Sequence, residues 1–197
     1  MSSATFHDAK LAASSRLQLR EASPRDADAL SLLGRATFLE SYADVLTGED
    51  ILLHSQHQHA ATTYAKWLAS PESAACCVAE TSTGAAVGYA VLCPPDLPVS
   101  LESGDLELKR IYMLHRFQGG GMGGALLRWA MLRARSMGAP RLLLGVYGQN
   151  HAAIRFYRHH GLEAIGTRQF LVGTTLHDDL VLGVRLDSVE LAGQISG

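Results

Sequence analysis

The chain has 197 residues, 47% of them hydrophobic and 18% charged, with 17 Lys and Arg against 19 Asp and Glu for a net charge of -2. That composition supports one substantial core. It excludes a surface coated in positive charge for nucleic acid, and no apolar run approaches membrane-spanning length, so a single soluble domain without nucleic-acid or membrane partners is expected, with the cytoplasm as its default place.

In chain order, residues 1–15 form a Ser/Ala-rich leader without the continuous apolar segment of a signal peptide, expected to be flexible. The domain is expected over 16–187 and a flexible Gly/Ser-containing tail over 188–197. Arg16 to Glu21 alternates around Leu17 and Leu19 as a short strand, and Ser23-Pro24-Arg25-Asp26 has capping-box spacing with proline at the first helical position, which starts a helix reaching about Tyr42. Thr47-Gly48-Glu49-Asp50 repeats the start signal for a second helical region running through Trp67 to the break at Pro71.

Residues 75–81 and 85–93 read as an antiparallel hairpin around Ser82-Thr83-Gly84. Adjacent Cys76 and Cys77 and isolated Cys93 have no repeated spacing, so they resemble neither a disulfide framework nor a zinc site, and buried thiols are the simpler reading. After a proline-rich loop, Asp105 to Met113 carries apolar residues at Leu106 and Leu108, then at Ile111 and Met113. The period slips by one residue, which a β-bulge near Lys109 or Arg110 would absorb while bending the strand away from its neighbour.

Next comes Gln118-Gly119-Gly120-Gly121-Met122-Gly123, followed by Gly124, a nearly side-chain-free loop between a strand and a helix. The first N–H groups of a helix have no intrahelical acceptor and share the positive end of its dipole, so such a junction suits a phosphate. From Leu108 through Leu162 there is no Asp or Glu, while Lys109, Arg110, Arg116, Arg128, Arg133, Arg135, Arg141, Arg155 and Arg158 supply 9 of the 17 basic residues. This segregation fits a polyphosphate ligand, although most of these arginines individually read as solvated helix surface.

Leu126, Leu127, Ala130, Met131, Ala134 and Met137 fall at helical spacing until Gly138 and Pro140, and Leu142 to Val146 reads as a strand buried on both faces. Strand, helix and strand therefore form a right-handed parallel unit with the glycine loop at its first turn. Asn150 caps a further helix ended by Gly161, and two antiparallel strands near 162–171 and 177–186 flank Gly173.

With these elements in place, the chain resembles the GNAT superfamily of acyl-CoA-dependent N-acetyltransferases over roughly residues 16 to 186. The first family block is the loop Gln118 to Gly123; the second is Asn150, Ala153, Phe156, Tyr157 and Gly161. Either alone is weak, and the two in order are specific. A finer likeness, to the branch that includes bacterial spermidine/spermine acetyltransferases, rests on Thr37 to Tyr42, Glu107 to Tyr112, and Phe170 to Gly173 followed by Asp179-Leu180. Met113 and Leu162 replace the more frequent Val and Phe, and Gly120 replaces a frequent basic residue.

The resemblance implies a single-domain α/β GNAT fold, a mixed sheet of about seven strands whose fourth and fifth form a splayed parallel pair, with flanking helices. It implies acetyl-CoA as acyl donor, its diphosphate on Gln118, Gly119, Gly120, Gly121, Met122, Gly123 and Gly124, and its pantetheine arm along Tyr112, Met113 and Leu114 and near Asn150, Ala153 and Phe156. Tyr157 is the candidate general acid for the departing thiolate; the plainer reading is a core tyrosine on an amphipathic helix. Glu107, one step before the bulge, is the candidate base, with an exposed or salt-bridged strand carboxylate, paired with Lys109, as its plainer reading. Some members of the superfamily use waters alone.

Glu21, Asp26, Asp28, Glu40, Asp44, Glu49 and Asp50 face only Arg25 and Arg35 between residues 21 and 50, which suggests a small cationic amine or polyamine as acceptor; a peptide N-terminus or lysine is the alternative. A homodimer is a fold-level analogy. A non-catalytic acyl-CoA-binding module remains a rival. A dinucleotide enzyme is disfavoured because Gly119, Gly121 and Gly124 lack the carboxylate expected about 20 residues on, and a P-loop because no Gly-Lys-Ser/Thr follows. His54, His57 and His59 lack acidic or thiol co-ligands and read as a wet helix surface rather than a metal site.

Overall fold

Apolar alternation sets seven strands in one mixed sheet among the described residues: β1 (Gln18–Glu21), β2 (Ala75–Glu80), β3 (Ala86–Cys93), β4 (Leu106–Met113), β5 (Arg141–Tyr147), β6 (Glu163–Val172) and β7 (Thr175–Arg185), in spatial order β1-β2-β3-β4-β5-β7-β6. This computed structural model describes residues 17–172 and 175–187; the leader, the tail and the turn at Gly173 lie outside the described residues. The β4/β5 pair is parallel and every other neighbouring pair is antiparallel.

Five α-helices complete the described fold: α1 (Ala27–Tyr42), α2 (Gly48–Gln58), α3 (Ala61–Leu68), α4 (Met122–Ser136) and α5 (His151–His159). Their starts follow the chemistry of orphan N–H groups. Ser23 donates its N–H to Asp26 Oδ2 at 2.7 Å ahead of α1, Thr47 Oγ1 accepts from Asp50 N at 3.1 Å, and Asn150 Oδ1 accepts from Ala153 N at 3.0 Å.

The sheet divides two cores. On one face Leu106, Leu108, Leu142 and Leu144 pack with Leu126, Leu127 and Ala130 of α4 and with Ile154 and Tyr157 of α5. On the other, Val78, Tyr89 and Val91 pack with Leu30 and Leu33 of α1 and Tyr64 of α3. The faces follow the period-2 alternation of each strand, so β3 and β4 serve both cores at once.

The single helical region expected from Thr47 through Trp67 is two helices. No glycine or proline marks the break. The main chain turns extended at Ala60, and the His59 carbonyl, instead of continuing a helix, accepts from Ser31 Oγ at 2.6 Å. His59 itself is buried, and its side chain joins the polar network described below. Tertiary hydrogen bonds here override an uninterrupted helical pattern.

Candidate functional site

The parallel pairing of β4 with β5 is short. Leu106 lies beside Leu142 and Glu107 beside Leu143, and the pairing ends there. Beyond it, Val91 pairs with Arg110 while Leu92 pairs with Leu108, so Lys109 is the surplus residue of a β-bulge, where the slip in the apolar pattern places it. The remainder of β4 leans on β3 alone, and a gap opens toward β5.

Alternation decides which main-chain groups line that gap. Leu114 N–H bonds Val87 O at 2.9 Å, facing β3, so Tyr112 and Leu114 turn their backbone groups toward β3 whereas Ile111 and Met113 turn theirs toward the gap. Of the expected segment Tyr112 to Leu114, Met113 is thus the residue with an outward edge. Its carbonyl accepts from Gln118 Nε2 at 3.0 Å, so the first side chain of the glycine loop braces the strand. Ile111, absent from the expected set, joins it, and only the pairing register reveals that.

The loop itself begins with a 3-10 turn, His115–Phe117, tied to α1 by His115 N–H donating to Glu40 Oε2 at 3.0 Å. Gly119 and Gly121 have φ of +84° and +80°. In that left-handed region a Cβ is strained, and it is these two turns that point successive N–H groups the same way. Among the described residues, the N–H groups of Gly119 through Gly124 donate to no protein acceptor; the first intrahelical bond is Ala125 N to Gly121 O at 3.1 Å. Gly124 serves packing, since a Cβ there would stand 3.3 Å from His160 Nε2, whereas one at Gly123 would make only ordinary contact with the Phe156 ring at 3.9 Å.

Replacing Gly121 with alanine is expected to cost about 1–2 kcal/mol at this φ, and to weaken anion binding at the loop more than it weakens the fold. Titration of the anion alongside urea denaturation separates the two effects.

Tyr157, on α5, is buried in the core on the α4 side of the sheet, with Phe156 beside it at 5.3 Å between ring centroids. Burial, and then Tyr112, push its phenol well above the usual tyrosine range, so it stays protonated. Among described side chains the sealed atoms without a hydrogen-bond partner are Arg133 Nε, which keeps an ion pair with Glu21, and His177 Nε2. The Tyr157 hydroxyl, which no described residue hydrogen-bonds, therefore opens onto accessible space. Tyr112 first, and then burial, push the Tyr42 phenol of α1 well above the usual tyrosine range, which holds it protonated too.

Glu107 is on the face opposite α4 but is not exposed as a strand carboxylate would be. It is 2% exposed, with Oε2 accepting from Asp96 N–H at 2.8 Å and Oε1 lying 3.3 Å from Lys109 Nζ. The proline-rich loop folds over it.

Arg110, which the bulge turns toward the helices, is a second feature that composition hides. Its Nη1 donates to Tyr64 Oη at 2.6 Å and to His59 Nδ1 at 3.1 Å, Nη2 donates to the Gln58 carbonyl, and the guanidinium lies 5.1 and 5.0 Å from the Tyr64 and Trp67 rings. Because arginine only donates, His59 Nδ1 must accept, which requires the neutral imidazole. Burial and the Arg110 charge depress His59 accordingly, and they hold His54, stacked on Phe38 at 4.2 Å, down to about 4. The three histidines thus diverge: two enter this aromatic wall, and His57 is exposed. No group of three or more His, Cys, Asp or Glu among the described residues could hold a metal ion.

The three thiols are buried and pushed up to about 12 by desolvation, which leaves them poor nucleophiles. The acids expected to greet a cation are partly committed: Asp26 pairs with Arg20 at 2.7 Å, Glu21 with Arg133 at 3.4 Å, Glu40 holds His115, and Asp50 is buried. Asp28, Asp44 and Glu49 remain exposed. No helix among the described residues is long and apolar enough to cross a membrane.

Residues 38–162 match the acetyltransferase (GNAT) family model. An uncharacterized N-acetyltransferase of Mycobacterium tuberculosis is 31% identical over 157 residues, covering 80% of this chain and 96% of that protein. Among solved structures, the PaiA N-acetyltransferase of Thermoplasma acidophilum in complex with coenzyme A superposes with a TM-score of 0.71 at 18% identity, over 86% of this chain and 98% of that one. The yncA protein of Salmonella typhimurium, solved with its cofactor acetyl-CoA, gives a TM-score of 0.65 at 20% identity, over 90% and 98%.

Proposed function

This chain belongs to the acetyltransferase (GNAT) family, and from that premise we propose that it transfers the acetyl group of acetyl-CoA to a primary amine, a small cationic amine or polyamine. The observation that carries the reading is the run of unspent N–H groups from Gly119 to Gly124 beside a parallel strand pair that parts after Glu107. Main-chain donors at a helix start take a diphosphate, and an open strand edge takes the amide groups of a pantetheine arm.

In this scheme Gly119 to Gly124 hold the phosphates, and Met113 with Ile111 offers the strand edge along which the thioester reaches Tyr157. The acceptor sheds its excess proton toward Glu107 through water, because Asp96 and Lys109 engage both Glu107 oxygens. Its nitrogen then attacks the acetyl carbon, the carbon–sulfur bond breaks, and the Tyr157 phenol donates its proton to the sulfur. The proton released as the amide forms restores the phenol. Asn150 serves chiefly as the cap of α5, where it keeps Phe156 and Tyr157 in place. The spermidine/spermine-like branch and a cytoplasmic setting belong to the same reading.

Titrating the protein with acetyl-CoA, then following free thiol with a panel of small amines, polyamines and peptides, tests it. Binding without amine-dependent thiol release supports the rival non-catalytic module, and no binding sinks both. Glu107→Gln is expected to lower kcat about tenfold or more with acetyl-CoA affinity unchanged; steady-state kinetics paired with calorimetry decides.

A further inference from the structure

Asp179, on β7, is 6% exposed, and its partner Arg168 approaches it unusually. Arg168 Nε donates to Oδ2 at 3.1 Å, and Nη2 lies 3.0 Å from that same oxygen. Guanidinium–carboxylate pairs are frequently bidentate, with one nitrogen on each oxygen. Here Oδ1 accepts no hydrogen bond among the described residues, and it is not one of the sealed unpaired atoms, so it opens onto accessible space. A carboxylate this buried with one oxygen unspent carries an unmet demand for a donor.

Its surroundings place that demand at the gap. Asp179 lies opposite Tyr147 of β5, and its charge reaches Tyr42 and Tyr112, where it opposes ionisation of both phenols. Gly145 on β5 makes the arrangement fit, because a Cβ there would sit 2.5 Å from Arg168 Cζ. Without a side chain at 145 the guanidinium lies across β5 and presents the carboxylate beside the parted strands. His177 and Asp178 are its other charged or titratable neighbours. Both oxygens of Glu107, by contrast, are engaged.

We propose that Asp179, held by Arg168 over Gly145, is the counter-ion that binds the ammonium group of the acceptor through Oδ1, making this chain selective for alkylammonium acceptors over uncharged amines. The inference rests on the acetyltransferase reading above and adds the residue that chooses the acceptor. Burial raises the Asp179 carboxyl above the usual carboxylate range, and Arg168 opposes that rise without cancelling it. Tyr42 and Tyr112 supply aromatic faces for the same cation.

The test compares n-butylamine, cationic at neutral pH, with methoxyamine, largely uncharged there, using acetyl-CoA as donor. Asp179→Asn should raise KM for n-butylamine about tenfold or more while KM for methoxyamine and the Kd for acetyl-CoA stay within about twofold. Arg168→Met, which removes the charge that opposes protonation of the buried carboxylate, should also raise KM for n-butylamine with KM for methoxyamine unchanged; a merely structural pair predicts loss with both variants and both amines. Equal effects on the two amines, an unchanged KM for n-butylamine, or a wild type that uses methoxyamine but not n-butylamine overturns the inference and leaves the transferase reading intact. Failure of the wild type to bind acetyl-CoA overturns that reading instead.

Discussion

Replacing Gly34 with alanine is expected to destabilise the protein by about 3 kcal/mol or more, the combined cost of overpacking and of breaking buried hydrogen bonds. A Cβ at this position of α1 would stand 2.2 Å from Tyr64 Oη, 2.3 Å from His59 Nδ1 and 3.1 Å from Tyr89 Oη. Those three atoms are the centre of the Arg110 network: Tyr64 Oη meets His59 Nδ1 at 2.8 Å and Tyr89 Oη at 3.0 Å, and Arg110 donates into both Tyr64 and His59. The methyl group has no flexible neighbour to displace. Moving the phenol or imidazole far enough leaves the buried guanidinium with only the Gln58 carbonyl as acceptor, and no carboxylate among the described residues pairs with it. Urea denaturation measures the loss, and Gly48→Ala is the matched control. Nothing lies within 4 Å of a Cβ there, so its effect should stay within about 0.5 kcal/mol. A Gly34→Ala midpoint equal to that of the control would show that the network yields without cost.

The second large effect falls on turnover. Tyr157→Phe should lower kcat about a hundredfold, the scale of a positioned general acid. Acetyl-CoA affinity and stability should change little, because the hydroxyl holds no hydrogen bond to a described residue and its ring stays in the core cluster with Ile154 and Leu126. A pure core tyrosine predicts the reverse pattern, with kcat intact. Rapid-quench measurement of acetyl transfer alongside donor titration separates them, and an unchanged kcat would withdraw the acid assignment.

The sequence exposes some of these features and hides others for reasons of distance. The bulge at Lys109 was readable because two apolar phases, Leu106/Leu108 and Ile111/Met113, meet within one strand and only a surplus residue reconciles them. The loop was readable because orphan N–H groups and glycine are local properties. The break at His59 was not, since the Ser31 hydroxyl that captures its carbonyl comes from another helix, 28 residues away. Arg110 reads as a solvated strand cation until the helices close over it. Glu107 reads as an exposed carboxylate for the same reason, because the Asp96 main chain that caps it arrives through a loop without a pattern. Asp179 stood out only as part of a family likeness, and its open oxygen depends on how one arginine on a neighbouring strand approaches.

Lys109 shapes the gap between β4 and β5 by its presence rather than by its side chain. With that residue excised, Leu108 would still meet Leu92, Arg110 would still meet Val91, and every side chain on β4 would keep its facing. Only the bend would go. The cleft is therefore written as a surplus of chain length at one position rather than as any chemical group, and the insertion matters to it more than the identity of the amino acid inserted.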